Sequence, residues 1–121
     1  MIKSSYTRLL CILGLIFLSH AASSAVHEVK EGGSIQAAVT KAQTGDVIRV
    51  FPGTYHETVY VDKDDISLIG VVEDGQWPHL DGQKILNDAI LYSGNGFSVE
   101  WFKITHYKGN AIMGQSGNNF S

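Results

Sequence analysis

Ala89-Ile90-Leu91-Tyr92-Ser93-Gly94-Asn95-Gly96-Phe97-Ser98 returns, with one residue inserted, as Ala111-Ile112-Met113-Gly114-Gln115-Ser116-Gly117-Asn118-Asn119-Phe120-Ser121. Ile90 and Ile112 are 22 positions apart, and Asn95 and Asn118 are 23 apart. Leu68 lies a further 22 residues before Ile90, and Asp65-Ile66-Ser67 has the pattern of Gly96-Phe97-Ser98. A period of roughly 20–25 residues, made of short strands and tight turns, denotes a solenoid in which each coil buries its inner face on the next. Stacked parallel strands lie about 4.8 Å apart, so equivalent residues fall over one another. Ile48, Val50, Ile66, Leu68, Phe97 and Val99 are therefore expected to point inward. Asn95 and Asn118 are expected to stack at one turn as a hydrogen-bonded ladder.

Outward from this repeat the chain reads as mostly β. Residues 26–30 alternate as a short first strand, and Gly32-Gly33 ends it. Ser34 then suits the N-cap of a helix running to Ala42. In that helix Ile35, Ala38, Val39 and Ala42 form one apolar stripe. Gly45-Asp46 closes the helix, and helical periodicity does not return. Strands are expected at 47–50, 58–61, 66–69, 89–92, 97–104 and 111–113, with Pro52-Gly53 as a type II turn. The repeat length also suits leucine-rich repeats, but the Leu-x-x-Leu-x-Leu frame is missing.

The first 25 residues are set apart from this pattern. Lys3 and Arg8 precede an apolar run over 9–18, and small residues follow up to Ser23-Ser24-Ala25. That is the layout of a secretory signal peptide with cleavage after Ala25. The run is shorter than the roughly 20 residues a stable membrane span needs. Residues 26–121 then form one domain, secreted or periplasmic. Lys3 and Arg8 leave with the leader, taking the formal net charge from −3 to −5, which argues against a nucleic-acid partner. Cys11 leaves too, so no disulfide framework supports the fold.

Ser34-Ile35-Gln36-Ala37-Ala38-Val39, Gly45-Asp46-Val47-Ile48-Arg49-Val50 and Pro52-Gly53-Thr54-Tyr55 resemble the N-terminal cap and first coil of pectate-lyase-like right-handed parallel β-helix proteins. Gly109-Asn110-Ala111-Ile112 with Ser116-Gly117-Asn118-Asn119-Phe120 is similar to their generic coil repeat, found also in periplasmic copper-site maturation β-helices and mannuronan epimerases. The resemblance implies a solenoid plugged at its N-terminal end by the helix. It also implies a polysaccharide lyase or epimerase acting on, or binding, an acidic polysaccharide. A non-enzymatic surface or periplasmic accessory protein is the alternative on the same fold. Family solenoids run through many more coils, so the sequence reads as the start of a longer helix. On that reading, the favoured one, the chain is a truncated piece and inactive as it stands; the alternative is that its open last coil stacks on another chain.

Three groups of residues are candidates for chemistry. Asp62, Asp64 and Asp65 cluster in Asp62-Lys63-Asp64-Asp65. The resemblance suggests calcium there, whereas the spacing fits no binding loop and favours a solvated turn. His79 and Asp81 alternate around Leu80 in Trp77-Pro78-His79-Leu80-Asp81-Gly82. They face outward from a strand, where a His–Asp pair can do acid–base work. Lys103, Thr105 and His106 lie in Lys103-Ile104-Thr105-His106-Tyr107-Lys108. A lysine can neutralise the carboxylate beside a proton being removed, and Trp101 and Tyr107 can stack on sugar rings. The plainer reading of both groups is a solvated strand face. His27, His56, His79 and His106 have no metal-ligand spacing, and no cofactor is identified from the residues alone.

Overall fold

A computed structural model describes residues 23–115 and residue 121. The expected leader core and Asn118 lie outside these residues. Among the described residues no helix is long and apolar enough to cross a membrane. Among the described residues ten strands and one helix follow in order: β1 (Val26–Val29), α1 (Ile35–Lys41), β2 (Val47–Val50), β3 (Gly53–Tyr55), β4 (Val59–Val61), β5 (Ser67–Gly70), β6 (Pro78–Asp81), β7 (Ile90–Tyr92), β8 (Ser98–Glu100), β9 (Lys103–Thr105) and β10 (Ile112–Gly114).

The strands form three parallel sheets, β1-β2-β5-β8, β3-β6-β9 and β4-β7-β10. Three coils contribute one strand to each sheet and β1 with α1 makes a first, partial rung, so the chain is a parallel β-solenoid of about four turns. Inward residues stack by register. Ile48, Leu68 and Val99 align in the first sheet, Tyr55, Leu80 and Ile104 in the second, and Val59, Ile90 and Ile112 in the third. Ile48, Leu68, Leu80, Val59, Ile90, Ile66 and Phe97 are fully buried. Burying each such side chain stabilises the fold by about 1.5–3 kcal/mol. Ser67 and Ser98 pair as their matching neighbours predict, and their hydroxyls bond at 3.2 Å.

The helix plugs the N-terminal end through the expected stripe, with Ile35, Val39 and Ala42 buried and Ala38 packed against the core. Ser34 caps it by accepting from the Ala37 N–H at 3.1 Å. The Glu57 carboxylate accepts from the N–H groups of Ile35 at 3.0 Å and Gln36 at 2.8 Å. At the other end the Lys63 ammonium donates to the carbonyls of Val39 and Thr40 at 2.8 and 2.7 Å. Both clamps put charge where the helix dipole favours it. Gln36 does a further job: its amide accepts from the Tyr60 N–H at 2.7 Å and donates to the Tyr60 carbonyl at 3.3 Å. It pairs with β4 as a strand backbone would and so covers that sheet edge.

The structure corrects three sequence expectations. Residues 97–104 are two strands, β8 and β9, because Trp101 turns the corner between sheets with a φ of 64°. Its carbonyl passes so close to Gly70 that a Cβ there would sit 2.0 Å away, and only glycine leaves room for the corner. Leu68 does not stack on Ile90; it lies between Ile48 and Val99, while Ile90 lies between Val59 and Ile112. The coils differ in length because extra residues, such as 82–89, are accommodated between strands while the sheet registers hold. Pro52-Gly53 is no type II turn, since Gly53 has a φ of 158° and opens β3.

Candidate functional site

Alternation sends every second residue of β3, β6 and β9 to the outer face of the second sheet. Thr54, His79 and Lys103 form one rank by register, and Asp81 and Thr105 pair in the next. His56 joins that second rank by donating from Nδ1 to the Asp81 carbonyl at 2.9 Å. The sequence candidates His79, Asp81, Lys103 and His106, with Thr105, thus meet on one surface. Lys103 sits beside His79 on the neighbouring strand. Among the described residues no carboxylate lies within ion-pair distance of Lys103.

Hydrogen bonds tie the group together. His106 Nδ1 donates to Asp81 Oδ1 at 3.0 Å, and the Gln83 N–H reaches the same oxygen at 3.0 Å. Thr105 Oγ1 lies 3.3 Å from His106 Nδ1 and 2.6 Å from His79 Nε2. The Gln83 N–H and the His106 bond hold the Asp81 carboxyl below its ordinary range. Burial, and then the Lys103 charge, hold His79 below the usual histidine value, so the neutral ring is favoured; Asp81 opposes that shift.

Beside this face is a groove of about 460 Å3, lined by Glu31, Thr54, Gln76, Trp77, His79 and Lys103 among others. Trp77 forms one wall and is 42% exposed. Trp101 backs it with ring centroids 5.5 Å apart and is 55% exposed. A bulky side chain with positive φ is uncommon, and here it sets a second exposed indole against the first. The other outer faces differ. The first sheet carries Glu28, Arg49, Ile69 and Glu100 in register, and the third carries Tyr60, Leu91 and Met113.

The other sequence candidates lie elsewhere. Asp62, Asp64 and Asp65 follow β4 in a corner. Asp64 accepts from the Asn95 N–H at 2.9 Å, its carbonyl accepts from the Gly45 N–H at 3.3 Å, and the Asp65 N–H donates to the Asn95 carbonyl at 2.8 Å. This acidic run is a stacked corner. Among the described residues no group of three His, Cys, Asp or Glu side chains is placed to hold a metal ion, so no calcium chemistry is derived. Tyr107 is not part of the exposed face: it packs against the core, donates to the Glu57 carbonyl at 2.5 Å, and burial pushes its pKa up to about 12. Thr54, His56, Glu31 and Trp77 were not expected at the site. Recognising β3 would have placed the first two, because they flank inward Tyr55.

The arrangement offers a cation, an imidazole, a carboxylate (Glu31), hydroxyl-binding groups and an aromatic wall in one shallow groove. That set can bind a sugar ring through its apolar face, its hydroxyls and an acidic substituent. Compared with protein-family models, curated proteins and solved structures, the chain matches none.

Proposed function

We propose that this is an exported, pectate-lyase-like β-solenoid that binds an acidic polysaccharide along the outer face of β3, β6 and β9. The observation that carries the reading is Lys103 beside His79 at a groove walled by Trp77. Lys103 lines this groove with no carboxylate within ion-pair distance among the described residues, which leaves its ammonium open to an acidic ligand. The leader over residues 1–25 supports export to the periplasm or beyond, where such polymers are met. The resemblance to lyases and epimerases concerns the fold, and the present residues support binding rather than turnover.

The test is calorimetric titration of the purified chain with oligogalacturonate and with a neutral glucan of equal length. Oligogalacturonate is expected to bind and the glucan not. Lys103→Met should weaken binding about tenfold or more, the scale of a lost charge-assisted contact, with the melting temperature unchanged. Equal binding of both glycans, or none of either, sinks the reading.

A further inference from the structure

We infer that Asp81, His106 and Thr105 act in series as positioning residues that lock the His79 ring in its Nδ1–H tautomer. The ring is then a hydrogen-bond donor beside Lys103, and the two donors form a fork for one carboxylate. The inference rests on the acidic-polysaccharide reading and names the chemistry of its central contact.

The assignment follows from the bonding network. Asp81 Oδ1 accepts from the Gln83 N–H and lies 3.0 Å from His106 Nδ1. An ionised carboxylate only accepts, so His106 carries its proton on Nδ1. Thr105 Oγ1, 3.3 Å from that same nitrogen, therefore cannot donate to it and must direct its own proton elsewhere. His79 Nε2 lies 2.6 Å away. That separation belongs to an O–H donor, since N–H donors centre near 2.9–3.0 Å. His79 Nε2 is then the acceptor, and the neutral ring bears its hydrogen on Nδ1.

Two consequences follow for ligand chemistry. The basic lone pair of His79 is occupied by the Thr105 hydroxyl, so the ring is not poised to take a proton from a sugar carbon. His79 and Lys103 are register neighbours that both line the groove, and Lys103 has no carboxylate partner among the described residues; an N–H and an ammonium on one wall suit an anionic oxygen pair better than a hydroxyl. The groups that bear on this ring are Lys103 on β9, Asp81 on its own strand, His106 after β9 and His56 after β3.

Long-range 1H–15N correlation of the histidine rings in 15N-labelled protein reads the tautomer with no ligand present. The expected result is a neutral His79 protonated at Nδ1. Thr105→Val should return the ring toward the ordinary Nε2–H form and weaken oligogalacturonate binding about tenfold, and Thr105→Ser should restore both. An Nε2–H ring in the parent protein, or a tautomer unmoved by Thr105→Val in a variant that melts like the parent, overturns the lock. The two failures separate cleanly. Nδ1–H His79 in a protein that binds no acidic glycan supports the lock and overturns the polysaccharide reading. Nε2–H His79 in a protein that does bind overturns the lock alone.

Discussion

The two faces of the second sheet are made by the same three short strands and serve different ends. Inward, Tyr55, Leu80 and Ile104 stack into a continuous apolar column, with Tyr55 and Leu80 buried. Outward, Thr54, His79 and Lys103 line the groove, with Asp81 and Thr105 in the next rank. A period of two therefore lets one strand hold the fold on one side and chemistry on the other, with little coupling between them. Breaking the inner column should have the largest effect. Leu80→Ala is expected to lower unfolding stability in urea by about 2–5 kcal/mol, because the solenoid stack cannot collapse onto the cavity. A loss below that of an exposed substitution, roughly 0.5 kcal/mol, would show that the column is not where stability resides.

The end of the column makes the next contrast. The N-terminal rung is closed by α1, with Glu57 and Lys63 bound to the two ends of the helix and Gln36 pairing with β4 as a strand neighbour would. Glu57→Ala removes the acceptor of two helix N–H groups. About 1.5–3 kcal/mol of stability should be lost, the range for hydrogen bonds to a charged group. Hydrogen exchange should localise the effect, with amides of α1 and β4 exchanging faster and those of β6 and β9 unchanged. Uniform acceleration over all three sheets would mean that the cap and the coils unfold as one unit.

What was legible in the sequence follows the same division. Inward residues repeat because stacking demands it, so the solenoid, the cap stripe and the inward set from Ile48 to Val99 could be read directly. Alternation about Leu80 also placed His79 and Asp81 outward. Corners were harder. Nothing at Trp101 marks a turn, as no Gly or Pro interrupts 97–104, and the corner depends on Gly70 one coil below. The meeting of His79 with Lys103 was hidden for a related reason. Coil lengths differ, so the 24-residue offset of these two had no repeat to reveal it. Thr54 and His56 were lost behind Pro52-Gly53, which reads as a turn but opens a strand.

The smallest expected effect compares two titrating groups, one on the outer face and one at the first rung. His79 has its folded pKa below the ordinary 6.5, from burial and Lys103. The unfolded chain therefore binds this proton more readily, and the contribution of His79 to stability is present above pH 6.5 and declines as pH falls below it. In the chain that retains Ala25, the last residue before the expected cleavage, Asp46 is buried and accepts from the N–H groups of Gln43 and Ala25 and from His27, each at 2.9 Å. Those bonds hold its pKa at about 2 against 3.8 unfolded, so its contribution survives to pH 3.8 and is lost as pH falls through 2. A melting-temperature profile should therefore bend twice on the acid side. His79→Gln should erase the upper bend while leaving the lower one, and Asp46→Asn should lower stability at neutral pH and flatten the lower one. If His79→Gln leaves the upper bend intact, the outer face does not couple to folding even through its protons, and the separation of the two faces is more complete than the packing implies.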